Sequence, residues 1–179
     1  MNPPATTATG PDGWRAPPDA VGRLPTVTLP DWTQLRERML APKPPIAFTA
    51  YAIGRDPLKV RYDGDGTFRI AETGTRLVGE AWITSAVEPQ RFVRLRDADG
   101  EVTGRDDAGR PCVVAEVRGL RGATTTMRLW VDEEVGCIVR MERVDDPAPL
   151  VVLGDLIVEA QPASSGNGTD ENTRHSATS

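Results

Sequence analysis

Histidine is almost missing from this chain: His175 is the only one in 179 residues. It stands in QPASSGNGTDENTRHSATS, residues 161–179, a stretch with no Val, Ile, Leu, Phe or Met. A Ser-His-Asp or Cys-His constellation inside a fold is therefore excluded. Cysteine is scarce as well. Cys112 and Cys137 are too few for a disulfide framework or a zinc site. No Walker loop and no dinucleotide fingerprint occurs. Nor does any run approach the ~18 apolar residues of a membrane-spanning helix. Positive charge is short too: 21 Lys and Arg against 26 Asp and Glu give a net charge of -5. Nucleic-acid binding relies on a basic face that neutralises phosphate, so that class of partner is not expected. The local cluster Arg91, Arg94 and Arg96 has acidic neighbours at Glu88, Asp97 and Asp99 and reads as a solvated strand surface. The first residues carry neither a basic nor an apolar leader segment, so a cytoplasmic protein is expected.

The chain's chemistry-bearing residues point to turns rather than to catalysis. Asp106 with Asp107, and Asp145 with Asp146, are adjacent carboxylates. Neighbours in an extended chain diverge and seldom form an acid–base pair. Asp63-Gly64-Asp65-Gly66 and Asp97-Ala98-Asp99-Gly100-Glu101 have turn composition without the spacing of a calcium loop. No metal, no cofactor and no enzymatic activity is expected.

What is present is a strand rhythm. Residues 1–23, rich in Pro, Ala, Thr and Gly, and residues 161–179 cannot bury enough apolar surface to order themselves, so both are expected to be disordered. The domain is expected over 24–160. Asp31 can cap a short helix over WTQLRERML, in which Trp32, Leu35 and Met39 form one stripe. APKPP at 41–45 ends it. From Ile46 on, apolar and polar residues alternate, and Asp63-Gly64-Asp65-Gly66 marks a hairpin turn. Strands are expected at 46–53, 58–62, 68–70, 75–85, 90–96, and from 111, 124, 136 and 150. A loop is expected from Asp97 to Arg110. The reading is mainly β: one antiparallel meander of eight or nine strands with a short N-terminal helix.

Several strands are apolar on both faces. Met127, Leu129 and Val131 oppose Trp130, and Val152, Leu156 and Val158 oppose Val151, Leu153 and Ile157. A single sheet with one wet face does not need both, so the second face must be covered, by the protein's own helix and loops or by a ligand or partner. Hairpin counting places Cys112 opposite about Trp130 and Cys137 opposite about Asp132. That is two strand spacings, ~9 to 10 Å, beyond disulfide reach, and leaves two half-buried thiols.

The segment from 105 to 157 resembles the second half of the lipoprotein-carrier superfamily. These are the LolA-like and LppX-like domains, including the N-terminal domain of RseB-type regulators. Their recurrent hairpin pattern, W-hD-x-x-T-G-hhhR-hE with h apolar, is matched by Trp130, Val131, Asp132, Gly136, Arg140 and Glu142, with Val135 in place of Thr. KVRYDGDGTFRIAETG resembles an earlier strand-turn-strand of the same family. The resemblance implies a strongly curved sheet, an incomplete barrel, whose concave side holds acyl chains or similar apolar ligands. It also implies, as the alternative, a regulatory domain that binds a partner protein through a sheet face or edge. Phe48, Tyr51, Tyr62, Phe68, Trp82, Phe92, Met127 and Trp130 are the candidates to line such a cavity. Ligand affinity is expected to depend little on salt, because no basic groove is apparent.

Overall fold

The computed structural model describes residues 28–160 apart from 121 and 123. The ends expected to be disordered lie outside the described residues. Helix α1, Trp32–Leu40, starts as its sequence predicts. The Asp31 carboxylate accepts the Gln34 N–H at 2.8 Å, and the Gln34 side chain accepts the Asp31 N–H at 3.1 Å. This reciprocal cap satisfies two donors that a helix start leaves free. Leu35 and Met39 are fully buried.

Eight strands follow: β1 Ile46–Ala52, β2 Leu58–Tyr62, β3 Phe68–Ile70, β4 Asp99–Asp107, β5 Pro111–Arg118, β6 Thr126–Asp132, β7 Ile138–Arg143 and β8 Asp146–Val158. They form one antiparallel sheet in the order β3-β2-β1-β8-β7-β6-β5-β4. This is two meanders rather than one. β1 to β3 run outward to one edge, β4 to β8 run inward from the other, and the first and last strands pair at the centre. The edges β3 and β4 do not pair, so the sheet is not closed into a barrel.

The chain crosses between those edges through residues 71–98, and here the expected pattern fails. The expected strand at 75–85 is largely helix α2, Ala81–Val87, and that at 90–96 is a 3-10 turn, Pro89–Arg91, followed by irregular chain. In α2 the buried Ile83, Ala86 and Val87 fall at i, i+3 and i+4, a helical stripe disguised by β-branched and aromatic residues. Beyond Pro89, the buried Phe92, Leu95 and Ala98 recur every third residue, while Val93 is 92% exposed. Helix α2 packs on β1, β7 and β8, so the crossing supplies much of the cover that α1 is too short to give.

The expected loop at Asp97–Arg110 is also overturned, because most of it is β4. Its Asp and Gly content has the look of a turn, yet it ladders on β5 from Asp99↔Arg118 to Asp107↔Pro111. An edge strand can carry charge because only one side of its backbone is paired. Gly100 within it is a packing requirement. The Trp32 ring lies against it, and an added Cβ would sit 2.6 Å from that ring. The Trp32 indole N–H donates to Ala98 O at 3.1 Å, fixing α1 to the start of β4.

Register assigns the faces. Ile46↔Tyr62, Phe48↔Val60 and Tyr62↔Phe68 share the inner face, with Ala115↔Leu129 and Leu129↔Met141. Helix residues Leu35, Met39 and Val87 join them in one core. The outer face carries Glu116↔Arg128 and Trp130↔Arg140. The simple alternation expected along β8 is broken. Register shifts beside Ala47 and Thr49, and Asp155 takes φ 52, so Leu153 and Leu156 are both buried while Ile157 and Val158 are exposed.

Candidate functional site

Along the inner face of β1 the side chains taper: Ile46, Phe48, Ala50, Ala52. Ile46 and Phe48 are buried in the core. Further along, the two alanines leave space. The result is a cleft of about 400 Å3, walled by Ala50, Ala52, Leu58 and Ile70 on the sheet and by Leu77 and Ile83 opposite. Arg55 and Glu80 meet at its rim, 3.3 Å apart. A second cleft, about 540 Å3, adjoins it, because Leu77 and Glu80 line both. Phe68, Ala81 and Thr84 contribute to its walls, and Arg76 and Arg91 bring positive charge.

The eight residues expected to line a cavity do not converge. Phe48, Tyr62, Phe68 and Met127 are buried on the inner face, and Phe92 is buried in the crossing segment. Trp82 is partly buried on α2. Tyr51 and Trp130 are on the outer face: Tyr51 is 44% exposed and pairs with Val152, and Trp130 pairs with Arg140. Of the eight, Phe68 alone lines either cleft described here. The apolar walls of the first cleft are instead small or aliphatic residues, with Arg55, Asp56 and Glu80 completing its lining. The large-to-small taper of IAFTAYA was the signal for them, and a search for aromatics passes over it.

Beneath the clefts is a buried polar group. The Tyr62 hydroxyl donates to Glu88 Oε1 at 2.7 Å, and Arg91 Nε donates to Glu88 Oε2. Tyr62 and Phe68 rings lie 4.8 Å apart, with the Arg91 guanidinium 5.6 Å from the Phe68 ring. Burial, with the Glu88 carboxylate beside it, pushes the Tyr62 phenol well above its usual range. Lys43, 4% exposed, donates from Nζ to Arg38 O at 2.8 Å. Burial lowers its ammonium to about 8 against the opposing pull of Cys137 and Glu88. Cys112 and Cys137 are free and fully buried rather than half-buried, and burial pushes their thiols to about 11 and about 12. Such groups are thiols, not nucleophilic thiolates, near neutrality. Cys112 registers with Asp132, two residues from the expected position, and the Asp132 N–H donates to Cys137 O at 2.9 Å.

The hairpin pattern that carries the family resemblance acts as one structural unit. Asp132 is fully buried. Its Oδ1 accepts the Glu134 and Val135 N–H groups and its Oδ2 accepts Arg110 Nε. Gly136, at φ 74, brings the turn against α1, where an added Cβ would sit 2.7 Å from Arg38 O. Arg140 stacks on Trp130 and pairs with the buried Glu142 at 2.8 Å. Asp106, one of the adjacent carboxylates, accepts the Trp130 indole N–H at 2.9 Å. That bond, with the Asp107 N–H, holds its carboxyl below the usual range.

Fold and clefts together define an open antiparallel sheet with helical cover over one face and unfilled space at one end of it. No family model matches the chain, and no curated protein sequence does. Among solved structures, the crystal structure of MucB is similar at 18% identity with a TM-score of 0.45, over 74% of this chain and 60% of that chain. The chain thus spans less than two thirds of the MucB chain it matches. Among the described residues no helix is long and apolar enough to cross a membrane.

Proposed function

We propose that this domain is a non-catalytic binding module that holds an apolar, acyl-chain-like ligand in the inner-face cleft. The observation that carries the reading is the taper from Ile46 and Phe48 to Ala50 and Ala52, which leaves an aliphatic cleft of about 400 Å3 between sheet and helix. Desolvation of such a surface favours an apolar guest, and a concave, mostly apolar cleft is where small ligands bind. The sequence resemblance to lipoprotein carriers points the same way. The cleft's ionisable lining among the described residues is Arg55, Asp56 and Glu80, with Arg55 and Glu80 paired to each other, which supports holding over turnover.

The test is a titration of saturated acyl chains of increasing length, read by tryptophan fluorescence, since Trp82 stands on the helix that walls the cleft. Each added CH2 contributes up to ~0.8 kcal/mol until the cleft is full, so affinity rises and then levels off. Ala52→Leu fills the cleft from the sheet side and abolishes the rise without changing the melting temperature by more than a few degrees. A flat response from short to long chains overturns the reading. It would favour the second one, a protein partner pairing with the edge β4, whose nine residues have a strand on one side only.

A further inference from the structure

We propose that the first half of β4, residues 99–102, takes up an extended segment of a partner protein as an added strand, one with Lys or Arg at alternate positions and apolar residues between them. The inference is independent of the ligand reading, because no residue of β4 lines either inner-face cleft.

β4 is one edge of the sheet and, among the described residues, ladders only on β5. Along its other side, alternate backbone N–H and C=O groups have no strand to bond. Residues 99–102 hold regular register, from Asp99↔Arg118 to Val102↔Ala115. Past Val102 the register shifts, and such a bulge bends the edge away from a straight partner. The regular half is therefore the half that can template another strand.

Register gives the two faces of that half different chemistry. Asp99↔Arg118 and Glu101↔Glu116 share the outer face with Glu116↔Arg128. Asp99, Glu101, Glu116, Arg118 and Thr126 line a polar cleft of about 290 Å3 beside the edge. Glu116 is held by Arg128 at 2.7 Å. Asp99 and Glu101 are exposed, and neither has an ion-pair partner among the described residues. Setting Arg118 against Asp99 still leaves Glu101 without a countercharge and with a carboxylate directly opposite it. Like charges so placed repel. Gly100 and Val102 take the other face, where the Trp32 ring lies against Gly100 and Val102 packs on the core.

A strand laid ~4.8 Å outside β4 presents its side chains to the same two faces in alternation. On the outer face a Lys or Arg meets Glu101 at the carboxylate-lined cleft. On the inner face an apolar residue sits beside Val102. A second copy of this chain is the poorer occupant, because β4 laid on β4 brings acid against acid. The acidic edge thus keeps copies apart while staying open to a strand of opposite sign.

The experiment titrates the full chain with end-blocked hexapeptides at low ionic strength, read by calorimetry and by amide hydrogen exchange over residues 99–102. A Lys-Val-Lys-Val-Lys-Val peptide is expected to bind and to slow exchange there, and its Glu-Val counterpart to do neither. The Lys-Val peptide N-methylated at every residue keeps charge and alternation but has no donors for a ladder, and is expected to lose binding. Glu101→Gln weakens the Lys-Val peptide about two- to fivefold, the size of an exposed ion pair, and Glu101→Lys weakens it further. Both variants melt with wild type, since Glu101 is exposed. Added salt erodes the binding. No binding of the Lys-Val peptide, equal binding of its Glu-Val counterpart, or full retention by the N-methylated form overturns the proposal, and the cleft reading stands in each case. Spermine bound as tightly as the peptide shows a site for cations without a strand and overturns it too. Protection of residues 99–102 that grows with protein concentration and needs no peptide places a second copy there and overturns the partner.

Discussion

The guanidinium of Arg140 lies 4.8 Å from the centre of the Trp130 ring on the outer face of the sheet. The indole N–H is taken by Asp106, and Arg140 is held in turn by Glu142, which Arg128 also reaches at 3.3 Å. A large aromatic on the face away from the helices, 7% exposed, is thus covered by charged side chains rather than by another layer. Cation–π attraction and the aliphatic stem of Arg140 both contribute.

Trp130→Ala is expected to destabilise the domain by about 3 kcal/mol, and Arg140→Ala by about 1 kcal/mol. A double-mutant cycle by urea denaturation should return a coupling of about 0.5 to 1 kcal/mol. Strict additivity would show that the stacked geometry contributes nothing.

Asp132 is a fully buried carboxylate whose charge is met by Arg110. Arg110→Leu leaves that charge uncompensated and should cost about 3 kcal/mol. Adding Asp132→Asn removes the orphaned charge and should recover part of the loss. A double variant less stable than the single one would contradict this.

Gly136→Ala should cost more than 2 kcal/mol, because it combines left-handed backbone at φ 74 with a clash against Arg38 O. Asn tolerates the left-handed region, so if conformation alone mattered Gly136→Asn would recover most of the stability. The contact with α1 predicts that it recovers little. Thermal melts of the two variants separate the cases.

Lys43 should give the stability curve a defined pH dependence. Its ammonium titrates near 8 in the folded protein, against 10.5 ordinarily. Between those values the unfolded chain binds more protons, so this residue's contribution to stability rises with pH. Cys112 and Cys137, with thiols raised by burial, act oppositely above about pH 9, and both wild type and variant carry them. Stability of wild type relative to Lys43→Met should therefore increase from pH 8 to 10.5, on the order of 2 kcal/mol. A constant or falling difference, measured by denaturant titration at each pH, would falsify the burial of a strained ammonium here.

The sequence by itself determined those elements whose local partner is announced by a cap, a turn or apolar alternation. Asp31 and Gln34 cap α1 within one turn of chain, and Asp63 to Thr67 and Asp132 to Gly136 close hairpins, so those strands and that helix were legible from spacing alone. Alternation likewise placed Met127 and Leu129 opposite Trp130. Tertiary structure decided the rest. β4 has a single apolar residue of any size, Val102, and is a strand because β5 offers it a ladder. The stretch 81–98 alternates well enough to pass for strands, yet coils because its buried residues must meet an inner face assembled from strands on both sides of it in sequence. The cleft was hidden for the same reason. It is made of what Ala50 and Ala52 do not fill, and the size of a gap depends on where the opposing Leu77 and Ile83 come to rest, which only long-range packing fixes.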